Sequence, residues 1–200
     1  MANKQTAGFG LNPSGVMGST PATSGQGKYW IDAADATAIY NGELVRITAG
    51  YVVTAQAAIT NPTQGVFNGC FYNDATTLKP TWVNYYPGGI TPANSEDIKA
   101  YVMDNPFQIY NVVTDAQIAA SVPASHGKIM ETYGMNVSAT SGTASGGRSS
   151  STLKVSAGSA ATANQFRYLG DAEDPSNNDV TAAYATVRVV QSLNDLVMGT

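Results

Sequence analysis

Val66-Phe67-Asn68-Gly69-Cys70-Phe71-Tyr72 is the stretch that decides the fold. β-Favouring types fill it, and no helical spacing of apolar positions runs through it. Strict alternation puts Phe67 with Phe71 on one face and Val66, Cys70 and Tyr72 on the other, so one set can fill a core while the second meets a partner. Trp82, Tyr85 and Tyr86 follow in a second short run. A sheet covered on both faces produces the same aromatic pattern, so core packing alone also accounts for it.

Working outward, the same reading gives strands at Tyr29–Ile31, Leu44–Thr48, Tyr51–Ala55, Thr81–Tyr86, Ile98–Met103, Phe107–Val113, Ile129–Val137, Thr152–Ser156, Gln165–Gly170 and Tyr184–Leu193. Turn chemistry separates them: Asn41-Gly42, Ala49-Gly50, Asn61-Pro62, Asn73-Asp74, Pro87-Gly88-Gly89, Asn105-Pro106 and Asp174-Pro175. One segment departs from this pattern. Thr114 followed by Gln117 has the form of a capping box ahead of Ile118, Ala119, Ala120 and Val122, which predicts a helix of about two turns ended by Pro123.

Residues 1–27 are rich in Gly, Pro, Ser and Thr and have too few apolar side chains to fold alone. In the free chain this segment reads as a mobile tail, or as an extended arm that orders against a neighbouring surface. Residues 28–200 read as a single β-rich domain with a mobile Ser/Gly loop at 138–151. No internal repeat is evident at a fixed period. The fold class is therefore mainly β: a compact β-barrel or β-sandwich of short antiparallel strands, with one short helix and an extended N-terminal arm.

With 200 residues the chain is long enough to bury a core without disulfides. Its 10 basic and 14 acidic side chains give a net charge of −4, and the basic residues do not cluster, so nucleic acid and membrane surfaces are poor partners. The N-terminus lacks the apolar run of a signal peptide and no stretch is long enough to span a bilayer, which points to a chain made and kept in a cytoplasm.

The inventory for catalysis is thin. Cys70 is the only cysteine and reads as a buried thiol; His126, the only histidine, reads as a solvated loop residue without a partner at ligand spacing. Asp171, Glu173, Asp174 and Asp179, with Asn177 and Asn178 between them, could offer oxygens to Ca²⁺, but the spacing is not that of an EF-hand and a solvated turn is the better account. Glu96 and Asp97 read as solvated charges before a strand. Gly142, Gly146, Gly147 and Arg148 resemble an anion-binding loop only superficially, since no helix signal follows them. No catalytic, cofactor-binding or metal-ligating residue is assigned, no cofactor is expected, and the chain reads as a non-enzyme.

Several short motifs carry a family likeness. Met1 to Leu11, Gly65 to Tyr72 with Lys79-Pro80 after it, Asn105-Pro106-Phe107, and Gln165 to Gly170 with Asp174-Pro175 resemble capsid cement or head decoration proteins of tailed bacteriophages, especially phages of cyanobacteria and other aquatic bacteria. The resemblance implies a structural virion protein, assembled in the host bacterial cytoplasm, on the outer surface of an icosahedral head. Its implied partner is an HK97-like major capsid protein, and its implied form is a homo-oligomer, with a trimer favoured at local threefold positions. Two other readings stay open: a tail or baseplate structural protein, and a carbohydrate-binding β module in which Trp82, Tyr85 and Tyr86 form a stacking platform and the acidic loop a Ca²⁺ site.

Overall fold

In a computed structural model, which describes residues 3–18, 25–55, 62–136, 146–156 and 164–197, the expected strands form two antiparallel sheets. The first runs in the order β1 (Asn12–Val16), β8 (Gln108–Val113), β12 (Thr186–Gln191), β11 (Phe166–Asp171), β9 (Thr132–Asn136), β10 (Thr152–Lys154). The second runs β2 (Gly27–Ile31), β7 (Ile98–Met103), β5 (Gly65–Asn73), β3 (Leu44–Thr48), β4 (Tyr51–Thr54), with β6 (Pro80–Val83) on the far half of β5. Neither sheet closes on itself by pairing, so of the two architectures expected the arrangement fits the sandwich.

The faces of β5 differ from strict alternation. Between Phe67 and Gly69 the register against β7 shifts by one residue, a β-bulge. Phe67 and Cys70 consequently face the same way, into a core with Val45, Val52, Ile98, Ala100 and Val102. Ile39 and Tyr86 bridge to each other and belong to the same core. Val66 and Phe71 take the other face. At one end of that face the register row Leu44, Val66, Met103 enters a second core with Tyr110, Val112, Tyr168, Val187 and Val189 of the first sheet. At the other end Phe71 remains partly exposed. The bulge requires glycine: a Cβ on Gly69 would lie 2.7 Å from both the Val83 carbonyl oxygen and the Trp82 ring.

The N-terminal segment is the main departure from the expected organisation. Rather than a tail, residues 3–18 lie on the domain. Leu11 is 1% exposed and donates its N–H to Gly42 (2.9 Å), and the Asn3 side chain donates to the Asp179 and Ala183 carbonyls. β1 pairs with β8 as an edge strand, where Pro13 is tolerated. Composition alone misses this because the domain supplies the partner strand and the apolar pocket. Residues 19–24 fall outside the described residues.

The helix also begins later than the capping pattern predicts. α1 spans Val122–His126 and is capped by Ser121, whose Oγ accepts the Ala124 N–H (3.3 Å). Pro123 thus sits in the first turn, where its missing N–H costs nothing, rather than at the end. Thr114 and Asp115 are held instead by Ala185 and Leu153 through backbone bonds of 3.0 Å, so tertiary pairing outcompetes the local cap. Of the expected mobile loop at 138–151, residues 138–145 lie outside the described residues. The remainder is packed: Ser149 and Ser151 are buried, Asn41 donates to Gly147 and Ser149 donates to Asn41, both at 2.8 Å.

A buried amide network joins the sheets. Gln191 at the end of β12 donates from Nε2 to the Thr63 carbonyl (2.9 Å), and Asn194 donates to Gln191 Oε1 (3.0 Å) and to the Gln64 carbonyl (3.3 Å), just before β5. Buried amides satisfied in this way fix one arrangement of the two sheets, since slippage would strand them.

Gly69→Ala is expected to lower the unfolding free energy by about 2 kcal/mol through overpacking against backbone. Urea denaturation measures it; a loss below about 0.5 kcal/mol would mean that β5 relaxes and the bulge is not a tight constraint.

Candidate functional site

The exposed end of the second sheet's Val66–Phe71 face carries a row of aromatic and basic side chains in direct register. Trp30 on β2 is opposite Lys99 on β7, Lys99 is opposite Phe71 on β5, and Phe71 is opposite Trp82 on β6. The next row along holds Lys28, Tyr101 and Gly69. Alternation on β2 and β7 sends Ile31, Ile98 and Ala100 inward and leaves Trp30 39% exposed; Trp82 is 49% exposed.

The rings are held in place. Trp82 packs on Tyr101 with centroids 5.1 Å apart and rings tilted by 59°, and it covers Gly69, where any side chain would collide with it. The Lys99 ammonium lies 5.4 Å from the Phe71 centroid and that of Lys28 5.7 Å from Trp30, both within cation–π range. At the Trp30 end the row opens into a groove of about 560 Å³ lined by Trp30, Tyr51, Glu96, Asp97 and Lys99 and by the Ala49-Gly50 turn. Both turn residues have positive φ, 51° and 89°, as a two-residue hairpin connection of this hand requires. The Tyr51 hydroxyl donates to Asp97 Oδ2 at 3.0 Å, and that hydrogen bond to a carboxylate raises the phenol's pKa.

This row differs from the platform that the sequence suggests. Trp82 belongs to it, but Tyr85 stacks on Tyr40 at 5.9 Å with rings 7° apart, and Tyr86 is buried with its hydroxyl donating to the Asp35 carbonyl. The strand ends at Val83, so period-two placement does not carry Trp82 through to Tyr86. Trp30, Lys99 and Tyr51 were missed by sequence reasoning. The signal that could have found them is the alternation of Lys28-Tyr29-Trp30-Ile31 and of Lys99-Ala100-Tyr101, which can be aligned only once the register is known.

Of the other residues singled out from sequence, Glu96 and Asp97 line the groove, Glu96 exposed and Asp97 bonded to Tyr51; the rest lie apart from this face. Cys70 is fully buried, and burial pushes its thiol up to about 12, far from a reactive thiolate. His126 is exposed in the last turn of α1. Asp174 accepts from the Ser176 N–H (3.0 Å) and the Asn177 amide (2.8 Å), and Asp179 from the Thr181 N–H (3.0 Å) and hydroxyl (2.6 Å). These bonds hold both carboxyls below the usual range. Glu173 makes a 3.9 Å contact with Arg188, and the Asp171 carbonyl accepts from Arg188 Nε. Within the acidic loop the Asp174 and Asp179 carboxylates thus close their own turns. Among the described residues no three His, Cys, Asp or Glu side chains gather as a metal-holding group. Gly146 and Gly147 pack against Asn84 and Tyr85, and Arg148 donates to Asn12; Gly142 lies outside the described residues. No helix among the described residues is long and apolar enough to cross a membrane.

Glu43 is a titratable group that sequence reasoning passed over. It is 2% exposed, beside the Leu11–Gly42 contact, and accepts the Tyr40 N–H at 2.9 Å. Burial pushes its carboxyl up to about 7.

No protein-family model matches the chain, and the searches of curated proteins and of solved structures return no match.

Trp82→Ala is expected to cost less than about 1 kcal/mol, because a half-exposed ring leaves no cavity, whereas Tyr86→Ala is expected to cost about 3–5 kcal/mol; thermal or urea unfolding compares them directly. For Glu43, the folded state holds the proton more tightly than the unfolded chain, so stability is greatest below the ordinary carboxyl range and falls as pH rises toward about 7. Glu43→Gln removes this loss. Its unfolding free energy from urea denaturation, compared with that of the parent, should gain more at pH 8 than at pH 5, by up to about 3 kcal/mol at 1.36 kcal/mol per pKa unit. An equal difference at both pH values would place the Glu43 titration outside this window.

Proposed function

We propose that this chain is a structural virion protein that binds the outer surface of an icosahedral phage capsid and stabilises the junctions between capsomers. The observation that supports the reading is a pair of exposed apolar side chains at one end of the first sheet. Met17, just after β1, is 42% exposed, and Phe107, just before β8, is 57% exposed. The Met17 N–H donates to the Phe107 carbonyl at 2.9 Å, which sets the two residues side by side.

Phe107 belongs to Asn105-Pro106-Phe107, one of the motifs that carry the likeness to head decoration proteins. Its turn is built to hold the ring outward: Asn105 Oδ1 accepts the Phe107 N–H at 3.0 Å, and the Asn105 carbonyl accepts the Gln108 N–H at the same distance. A rigid turn presenting an aromatic anchor loses little conformational entropy on docking. The partner in this reading is an HK97-like major capsid protein. A homotrimer at local threefold positions would multiply a weak single contact by avidity.

The test is sedimentation of purified protein with expanded empty shells, alongside copy-number measurement on virions. Occupancy should match the number of capsomer junctions, and Met17→Ser with Phe107→Ser should weaken shell binding about ten-fold or more while the fold persists. A copy number matching a tail component, or shells that bind the double variant as well as the parent, would overturn the reading.

A further inference from the structure

We propose that the aromatic row of the second sheet, with the groove at its Trp30 end, is a binding site for a neutral oligosaccharide. This surface lies on the other sheet from Met17 and Phe107, so the inference does not depend on the capsid reading.

Shape supports it first. Trp30, Phe71 and Trp82 lie in one register row that crosses three strand-to-strand intervals, or about 14 Å at the usual strand spacing. That is the length of a few pyranose rings laid across the strands. A pyranose presents C–H groups on its faces and hydroxyls around its edge, which is the complement of an exposed aromatic face flanked by polar side chains. The rings are already fixed by Tyr101, Lys99 and Lys28, so a ligand would pay little to order them.

The polar groups support a sugar in particular. Glu96 and Asp97 supply acceptors in the groove, Lys99 supplies a donor, and the Tyr51 hydroxyl bonded to Asp97 adds another polar edge. Hydroxyl groups need both kinds of partner. A mostly apolar concavity with a few convergent polar groups is the usual form of a small-ligand site. Charge separates the ligand classes: the two lysines of the row, Lys28 and Lys99, are matched by the two carboxylates of Glu96 and Asp97 at its groove end, and the chain carries −4 overall. A site without net positive charge on an acidic chain gives phosphodiesters and uronates no electrostatic gain, which favours an uncharged glycan.

The chain's two tryptophans are both in this row, so intrinsic tryptophan emission reads the site directly. The full chain is titrated with neutral hexaoses of glucose, mannose and galactose in β-1,4, β-1,3, α-1,4 and α-1,6 linkage, and with heparin and oligo-dT as polyanions. At least one neutral hexaose is expected to shift the emission, with a dissociation constant on the order of 10 μM to 1 mM. Trp30→Ala and Trp82→Ala, read by calorimetry, are each expected to weaken binding about ten-fold with unchanged circular dichroism. Asp97→Asn should weaken it without altering the aromatic row. The proposal is overturned if no neutral hexaose binds, if neither tryptophan substitution affects binding, or if only the polyanions bind. It is also overturned if Trp82→Ala abolishes shell binding, which would make this face a protein-docking surface. Loss of shell binding in the Phe107→Ser variant with sugar binding intact leaves it standing, and the two readings therefore fail separately.

Discussion

The bulge at Asn68-Gly69 sets the faces of β5, and β5 is the strand on which both halves of the molecule depend. One extra residue brings Phe67 and Cys70 onto the same side, closing the core of the second sheet, and leaves Val66 to join the core shared with the first sheet. It also turns Phe71 out into the aromatic row. Gly69 makes this arrangement possible because the Val83 carbonyl and the Trp82 ring occupy the space that a side chain would need. The same few atoms therefore fix a core, a sheet–sheet interface and an exposed surface.

Around this strand the chain is joined by polar groups that have few alternatives. The amides of Gln191 and Asn194 reach the Thr63–Gln64 backbone, and the segments around Leu11, Gly42 and Ser149 exchange backbone bonds across large sequence separations. Each such bond is worth little net, but an unmade one in a buried place costs the full desolvation of the group. Glu43 sits in this junction, where burial pushes its carboxyl up to about 7 against the opposing pull of the Tyr40 N–H.

The thiol is buried, and the Asp174 and Asp179 carboxylates close turns. The surface presents contact area on both sheets. A rigid turn presents Phe107 beside Met17 on one sheet, and a row of rings with interleaved lysines lies on the other. The proposed roles divide accordingly, with attachment to a shell at the first and sugar recognition at the second.

The strands and most turns were legible in the sequence because period-two patterning, β-branched and aromatic residues and Asn-Gly or Pro-Gly punctuation act locally. Buried Cys70 and the solvated position of His126 were legible for the same reason. The order of the strands was not, nor was β1, whose Asn-Pro-Ser-Gly-Val has no strand signal until β8 supplies its partner. The helix start moved from Thr114 to Ser121 because Ala185 and Leu153 claim the backbone that a local cap would have used. The aromatic row combines residues from β2, β5, β6 and β7, and it exists only through the register between them. By itself, then, the sequence determined which segments are extended and which residues suit burial, since those preferences are written within a few neighbouring residues. Which faces meet, which rings stay outside and which distant side chains share a surface were decided by tertiary structure alone, because a single bulge reverses every face beyond it.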